Sequence, residues 1–347
     1  MSANENESGN DSLADASRAE RLYAELRAAR RRIGSLEAQI EDMQRLVHVL
    51  RDIPVPEKTP RWLKPKKATR HHTAIPTLFI SDTHFDEVVD PAAVGGVNSY
   101  NREIAEIRLR RVFERGIVLT RDYLSGVRYD GAVILLGGDI VSGNIHEELA
   151  RTNEDQIMGT VVHWVPQLAA GIEMWAEVFG RVHVVAVVGN HGRNSQKMPS
   201  KGIVRDNFDW LIYRWVADRL REDERITWQI PEGPDAYFPI YNTRFLLTHG
   251  NAFRGGDGQV GPLGPIIRGN LRTYRRQMFL DQPYDWLVMG HWHTYAHVAG
   301  LVVNGSLKGY DEYAYAQRFT PERPQQAFWL TTPENGVTVA APIFADR

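Results

Sequence analysis

Five apolar segments of this sequence each end in a short polar motif that contains Asp, Asn or His. Short runs rich in Val, Ile, Leu and Phe are typical of buried β-strands. In open α/β sheets, binding sites form beyond the carboxyl ends of the strands. The pattern therefore predicts one site built from five motifs: Asp82-Thr83-His84 after TLFIS, Gly137-Gly138-Asp139 after AVILL, Gly189-Asn190-His191 after VHVVAVV, His249-Gly250 after RFLLT, and Gly290-His291-Trp292-His293 after DWLVM.

The composition limits the chemistry of that site. The 347 residues include no cysteine, which excludes disulfides, thiolate zinc sites, iron–sulfur clusters and a cysteine nucleophile. The 12 histidines and the aspartates still provide metal ligands. No apolar run approaches the roughly 20 residues that span a bilayer, and the acidic N-terminus lacks the apolar core of a secretory signal. We therefore expect a cytoplasmic protein without a membrane segment.

Changes in composition divide the chain into four predicted segments. Residues 1–16 contain almost nothing to bury and predict a disordered acidic tail. Residues 17–52 predict a coiled-coil helix, and residues 53–73, rich in Pro, Lys and Arg, predict a linker. Residues 74–347 form the remaining domain.

The predicted coiled coil carries apolar residues at alternating steps of four and three, the heptad pattern of an oligomeric seam. Ile33, Ile40 and Val47 occupy position a, and leucine is frequent at position d, a combination that favours a parallel dimer. An amphipathic helix packed on its own domain needs the same stripe and is the alternative. Complementary charges beside the seam favour a homo-oligomer formed through this helix.

Beyond the linker, apolar β-type runs alternate with helical stretches and then become more frequent. Early β–α alternation followed by a strand-rich half indicates an α/β fold, with a mixed sheet or a sandwich flanked by helices. Strands are predicted at 77–81, 132–136, 182–188, 226–230, 244–248, 285–289, 298–303, 326–330 and 337–342, and helices near 101–127, 144–178, 205–221 and 269–280.

The residue types at the strand ends fit a site for two divalent metal ions. Imidazoles, carboxylates and an amide oxygen are suitable ligands, and one carboxylate can bridge two cations. Two such ions clamp the attacking and leaving oxygens of a phosphoryl displacement and lower the pKa of a bound water. Taken singly, each residue also has an ordinary explanation: Asp82 as a turn aspartate, Asn190 as a turn former, and His249 as a hydrogen-bonded core histidine.

The ordered motifs Asp-x-His, Gly-Asp, Gly-Asn-His, His and Gly-His-x-His, across residues 82–293, resemble those of the calcineurin-like metallophosphoesterases. The resemblance implies a β-sandwich flanked by helices with a two-metal site at one edge. In this chain the N-terminal coiled-coil helix would precede that fold. The resemblance does not account for the coiled coil itself.

The resemblance also implies a role for each motif residue. Asp82, His84 and His293 would hold the first metal ion. Asn190, His249 and His291 would hold the second, and Asp139 would bridge both. His191 would not bind metal, but would protonate the leaving oxygen or stabilise charge in the transition state. The resemblance favours Mn for both ions, with Fe, Zn, Co, Ni or Mg as alternatives for this thiolate-free ligand set.

Three residues near the motifs are candidate substrate contacts. Arg193 begins a basic loop after His191 and could hold a phosphate oxygen, although a solvated loop explains it equally well. Asn144 and His146 follow Asp139 closely and could reach a substrate, with capping or surface roles as the alternative.

Two further stretches could contact a polyanion or cover it. The glycine-rich run 254–265 predicts a mobile loop, either a lid over the substrate or a plain connection. Four arginines follow on a predicted helix and could flank a polyanion, or could be ordinary exposed residues: Arg268, Arg272, Arg275 and Arg276.

The residue after the Gly-Asn-His motif indicates which members of the family this chain resembles. Many members that cut nucleic acids have Asp there, whereas this chain has Gly192. Gly-Asn-His-Gly-Arg is instead similar to phage-encoded members, which would place the protein in a host cytoplasm.

Together these features predict a dinuclear metal-dependent phosphoesterase. We expect a metal-bound hydroxide to hydrolyse phosphodiester bonds of a nucleic acid or nucleotide. A phosphomonoesterase acting on a nucleotide or phosphoprotein is a second possibility. A third is a non-catalytic coiled-coil scaffold that retains the fold. Because no motif position is replaced, the sequence favours an enzyme.

Overall fold

The computed structural model describes five stretches of the chain: residues 25–31, 33–34, 59–64, 72–255 and 263–346. The chain divides into two compact units, Met1–Val55 and Pro56–Arg347.

In the first unit, the described residues 25–31 and 33–34 are helical. Leu26 and Ile33, two members of the predicted seam, are exposed. The rest of the predicted coiled coil and the whole predicted acidic tail lie outside the described residues. The oligomeric state therefore stays a prediction.

In the second unit, the described residues form twelve strands and six α-helices, numbered in chain order. The strands are β1 (Thr73–Ile80), β2 (Arg128–Tyr129), β3 (Ala132–Leu136), β4 (Val182–Ala186), β5 (Ile226–Gln229), β6 (Asp235–Ile240), β7 (Thr243–Thr248), β8 (Trp286–Met289), β9 (Ala296–Val298), β10 (Leu301–Val303), β11 (Gln325–Thr332) and β12 (Gly336–Phe344). The α-helices are α1 (Arg102–Val118), α2 (Glu147–Thr152), α3 (Ile157–Phe179), α4 (Phe208–Arg219), α5 (Leu263–Phe279) and α6 (Glu312–Ala316). A 3₁₀-helix spans Arg61–Leu63, and a π-helical stretch spans Leu119–Tyr123.

The strands form two sheets that pack face to face. The first has the order β12-β11-β1-β3-β4-β5 with β2 beside β1, and the second has the order β6-β7-β8-β10-β9. Successive side chains of a strand point to opposite faces. Ile75 and Phe79 of β1 therefore pack with Phe245 in the core between the sheets, whereas Leu78 and Ile80 pack in the core beneath the helices.

Helices cover the outer faces of both sheets. Trp164 of α3, Val112 of α1 and Ile212 of α4 share one core with the first sheet, and Ile266 of α5 packs on the second. This helix–sheet–sheet–helix arrangement confirms the predicted α/β class, a sandwich flanked by helices. Among the described residues, no helix combines the length and apolar character needed to cross a bilayer.

Two predicted elements differ from the structure, and two strands and one α-helix have no predicted counterpart: β2, β6 and α6. The strand predicted at 298–303 is a hairpin of β9 and β10, in which Gly300 has a left-handed φ of 74°. The helix predicted at 144–178 is interrupted between α2 and α3. Strand β6, which contains Pro239, is not among the predicted strands. It lies at the edge of its sheet, where a missing N–H is tolerated.

Part of the predicted linker packs against the sandwich. Leu63 is fully buried in the core between the sheets, and its carbonyl accepts a hydrogen bond from the amide of Tyr241 at 2.8 Å. The guanidinium of Arg181 lies 5.5 Å from the ring centroid of Trp62. Other parts of the linker, at 53–58 and 65–71, and residues 256–262 of the glycine-rich run lie outside the described residues.

The contact between α1 and α3 can be tested at Gly171. A Cβ atom there would lie 2.1 Å from the ring of Phe113, which is only 1% exposed and cannot move cheaply. Although Ala favours a helix more than Gly does, we expect Gly171→Ala to lower the free energy of unfolding by about 1–3 kcal/mol. The measurement is urea unfolding followed by circular dichroism.

The control is Gly126→Ala, because no atom lies within 4 Å of the added Cβ. We expect it to change the free energy of unfolding by less than about 0.5 kcal/mol. Equal stability of the two variants would contradict the close packing of α1 against α3.

Candidate metal centre

The five predicted motifs meet at one edge of the sandwich. Strands β1, β3 and β4 are parallel neighbours in the first sheet, and β7 and β8 are parallel neighbours in the second, so the carboxyl ends of each set lie together. Two of the hydrogen bonds that join the sets involve backbone groups. The backbone amide of His291 donates to Asp82 Oδ1 at 2.9 Å, and His249 Nδ1 lies 2.9 Å from the carbonyl oxygen of Gly137.

Asp82, His84 and His293 form one group of potential ligands. His293 Nε2 lies 3.3 Å from Asp82 Oδ1 and 3.1 Å from His84 Nε2. Two imidazole nitrogens at this distance form a hydrogen bond only if one carries a proton. Both lone pairs can instead bind one cation beside the carboxylate. The ligand atoms of the three residues lie within 4.8 Å of one another.

Asp139, His249 and His291 form another such group. His249 Nε2 lies 3.0 Å from Asp139 Oδ2 and 3.2 Å from Asn190 Oδ1, which brings the amide oxygen of Asn190 to the same place. Because His249 Nδ1 donates to a backbone carbonyl, its tautomer and ring orientation are fixed with Nε2 directed at this group.

Asp139 and His191 connect the two groups. Asp139 also lies within ligand distance of His84 and His191, and its Oδ1 accepts a hydrogen bond from the backbone amide of His191 at 2.7 Å. His191 Nδ1 lies 2.8 Å from the carbonyl oxygen of Ser142, so Nδ1 carries the proton and Nε2 is available for chemistry. Geometry alone places His191 within reach of a cation bound beside His84 and Asp139.

The backbone is strained at five motif residues. Left-handed φ values occur at Asp82 (52°), His84 (45°), Asp139 (50°), His291 (69°) and His293 (51°). Non-glycine residues in this region cost on the order of 1–3 kcal/mol each and persist where the surrounding structure fixes them, often at functional sites. The strain directs these side chains into the space that they share.

Burial and charge set the protonation of the centre. Burial lowers the pKa of His291 to about 4, and the charge of His249 adds to the effect. Burial also lowers the pKa of His84 and that of His191, to about 3. The neutral imidazole is the form that binds metal. Burial also tends to lower the pKa of His249. The carboxylate of Asp139 has the larger effect and raises that pKa to about 9.

Glu87 and Lys308 support the centre and were not predicted. Glu87 Oε2 lies 3.4 Å from His84 Nδ1, and Lys308 Nζ donates to Glu87 Oε1 at 2.8 Å and to Asp311 Oδ2 at 2.5 Å. A carboxylate behind a ligating imidazole orients the ring and increases its basicity. The three-residue spacing from His84 was a signal for Glu87, whereas Lys308 lies 221 residues away from Glu87 in the chain.

The three predicted substrate contacts lie in different settings. Asn144 and His146 are exposed, and the ring centroid of His146 is 5.7 Å from that of His191. Arg193 is half-buried and donates hydrogen bonds at 2.7–2.8 Å to three carbonyl oxygens of its own loop: Asn190, Ser195 and Gln196. Its guanidinium therefore orders the loop that carries Asn190.

Arg205 and the four arginines of α5 that the sequence singles out are exposed. Arg205 is fully engaged in a bidentate pair with Glu232, at 2.8 Å for each contact. On α5, Arg276 pairs with Asp235. The other three arginines of α5 are exposed on a helix without an acidic residue: Arg268, Arg272 and Arg275.

The donor set fits two divalent ions. One position would be held by Asp82, His84 and His293, and the other by the remaining three ligands together with the shared Asp139. The centre combines hard carboxylate and amide oxygens with imidazole nitrogens, the mixture that suits Mn, Fe, Zn or Co. The near-complete burial of Asp82 and Asp139 also requires compensating positive charge.

No protein-family model and no curated protein matches the sequence. A predicted phosphoesterase from Streptococcus pneumoniae TIGR4 is 12% identical over 78% of this chain and 97% of that chain, with a TM-score of 0.30. The sulfate thiohydrolase SoxB from Thermus thermophilus is 10% identical over 81% of this chain and 58% of that chain, also with a TM-score of 0.30. Superpositions this loose carry no argument about chemistry, so the function is inferred from the residues of this chain.

Metal binding is expected to release a proton from His249 at neutral pH. A cation needs the neutral imidazole, whereas the metal-free pair with Asp139 keeps His249 protonated up to a pKa of about 9. The apparent Mn²⁺ affinity should therefore rise by about tenfold per pH unit above pH 7 and level off near that pKa. Calorimetric titration in two buffers of different ionisation enthalpy measures the proton release. Binding at pH 7 without proton release would contradict the protonated pair.

Proposed function

We propose that this protein is a calcineurin-like metallophosphoesterase that hydrolyses phosphodiester bonds, with a nucleic acid or nucleotide as substrate. One observation carries the proposal: seven potential ligands from five separate strand ends converge at one edge of the sandwich. Six of them fall into groups whose ligand atoms lie within 4.8 Å of one another. The seventh, Asn190, is in hydrogen-bond contact with His249. The seven potential ligands are Asp82, His84, Asp139, Asn190, His249, His291 and His293.

The bound ions, which we propose to be Mn²⁺, would supply Lewis acidity that activates water and offsets charge on the phosphoryl group. Asp139 would join the two positions, because its carboxylate lies within 4.8 Å of ligand atoms from both, those of His84 and His249. The backbone amide of His291 donates a hydrogen bond to the side-chain carboxylate of Asp82, which fixes the first position relative to the second sheet. The protein thus provides an ordered, largely buried set of ligands.

His191 is proposed as the group that exchanges a proton with the substrate. Its Nδ1 is engaged with the carbonyl of Ser142, so Nε2 is the atom that can hold or deliver a proton. In the ligand-free protein it is neutral, because burial lowers its pKa to about 3. The negative charge of a bound phosphate raises that pKa and favours the imidazolium.

The preference for a polyanion rests on basic residues that follow the ligand motifs in the sequence. Arg193 orders the loop of Asn190 and could use its remaining N–H groups for a phosphate oxygen. Asn144 and His146 are exposed, and the ring centroid of His146 lies 5.7 Å from that of His191. The exposed arginines of α5 offer positive charge without a neighbouring acid on that helix.

Two further parts of the proposal concern the whole chain. The heptad pattern at 17–52 supports a homo-oligomer formed through that helix. The composition supports a tail at 1–16, a linker at 53–73 and a catalytic domain at 74–347, in a cytoplasmic protein.

The proposal is tested with a substrate panel in the presence of Mn²⁺: bis-p-nitrophenyl phosphate, p-nitrophenyl phosphate, and labelled single- and double-stranded DNA. We expect turnover of the diesters, and loss of about 100-fold or more in Asp139→Asn, because the amide lacks the charge and second acceptor oxygen of the carboxylate. Circular dichroism should show an unchanged fold.

The matched control is Asp218→Asn on α4, where the same change affects a side chain that is 68% exposed. It should keep full activity. Turnover confined to monoesters would contradict the diesterase, near-normal activity of Asp139→Asn would contradict the bridging role, and a protein that binds no metal would favour a scaffold.

His191→Ala should separate an acid from a metal ligand. We expect the variant to keep its Mn²⁺, measured by elemental analysis, and to lose about 10²–10⁴-fold in kcat. If Nε2 protonates the leaving oxygen, the loss should be larger for DNA than for a p-nitrophenyl ester, whose leaving group needs little protonation.

The control for this variant is His163→Ala, because His163 pairs with Glu106 on the helical layer. It should retain activity on both substrates. Loss of metal from His191→Ala would instead show that His191 is a ligand, as its position near His84 and Asp139 allows.

A further inference from the structure

Asp209 receives three backbone hydrogen bonds from two of the ligand loops. It lies near the start of α4 and is fully buried. Its Oδ2 accepts from the amides of Asp139 at 3.0 Å and Gly189 at 2.9 Å, and its Oδ1 accepts from the amide of Ile140 at 3.1 Å. One of these amides belongs to the proposed bridging ligand, and another directly precedes Asn190.

The contacts of Asp209 differ from those of a helix cap. The N-cap of α4 is Asn207, whose Oδ1 accepts a hydrogen bond from the amide of Asp209 at 2.8 Å. The carboxylate of Asp209 points instead to the loops after β3 and β4. The three N–H groups approach both ends of the side chain, so both ends must be hydrogen-bond acceptors. A carboxylate has an acceptor oxygen at each end. An asparagine side chain does not, because one of its ends is an NH₂ donor.

The two loops are in backbone contact where Asp209 joins them. A Cβ atom at Gly189 would lie 2.2 Å from both the amide nitrogen and Oδ1 of Asp139. A Cβ atom at Gly138 would lie 2.3 Å from the amide nitrogen of Gly189. Since no side chain separates the loops, their spacing depends on groups that bind both, and Asp209 is one of them. Asn207 adds another link through its donation to the carbonyl of Gly189 at 2.8 Å.

We propose that Asp209 is a positioning residue of the metal centre: it fixes the spacing between the bridging carboxylate of Asp139 and the amide oxygen of Asn190. This inference rests on the proposed function, because the spacing matters only if cations bind there. Asp209 acts through the backbone of the ligand loops.

The test compares the full-length wild-type protein with Asp209→Asn. Mn²⁺ binding to the metal-free proteins is measured by calorimetric titration, and kcat and KM are measured with bis-p-nitrophenyl phosphate. We expect Mn²⁺ affinity to fall by about 10–100-fold, as for other residues that orient ligands. With saturating Mn²⁺, kcat should fall and KM should change little, because the defect lies in the geometry of the centre and not in substrate contacts.

The matched control is Val216→Ala on the same helix. Val216 is fully buried in the core beneath the helices, so its truncation lowers the thermal midpoint without altering the hydrogen bonds of the ligand loops. Its Mn²⁺ affinity should stay within about twofold of that of the wild type. This change is much smaller than the 10–100-fold loss typical of residues that orient ligands. If Asp209→Asn does not fold, Asp209→Ser is measured instead, since its single hydroxyl cannot accept all three N–H groups.

The outcomes separate the two claims. If the wild-type protein binds no Mn²⁺, the proposed function fails, and this inference fails with it. If the wild-type protein binds Mn²⁺ and the Asp209 variant binds it equally tightly, the inference alone is overturned. Equal losses of affinity in the Asp209 variant and Val216→Ala would also overturn it, because general loss of stability would then explain both.

Discussion

Two buried carboxylates, Asp82 and Asp139, determine the geometry of the centre. A buried charge is tolerated only when it is paired and hydrogen-bonded. Each carboxylate accepts a hydrogen bond from the backbone of a different loop, that of His291 or His191. Each also faces an imidazole across about 3 Å, close enough for a charge-assisted contact. The loops are therefore joined to one another through the same oxygens that would bind cations.

The position of the centre could be predicted because its signals are local. An apolar run followed by Gly-Asp or Gly-Asn-His marks where a strand ends, and parallel strands place such ends together. Nothing local connects Lys308 to Glu87 or Asp209 to Gly189, because these contacts depend on how distant elements pack. Asn207 and Asp209 taken in isolation indicate only the start of a helix.

In the fold, too, features set by nearby residues could be predicted, whereas features set by distant contacts could not. Buried strands such as β3 are predicted by their uniformly apolar composition. The edge strand β6 is not, because Pro239 is compatible with a strand only at the edge of a sheet, and the sequence does not say which strand lies there. The partners of Arg193 are equally hidden: its charge suggests phosphate, whereas its guanidinium binds carbonyl oxygens of its own loop.

The left-handed backbone at five candidate ligand positions would couple metal binding to a loss of stability. Glycine at position 82, 84 or 293 would relieve the strain, because glycine adopts such φ values without steric cost. Substitutions that relieve the strain at these positions would remove a candidate metal ligand. In a library selected only for heat resistance, these ligands are therefore among the residues under least pressure to remain.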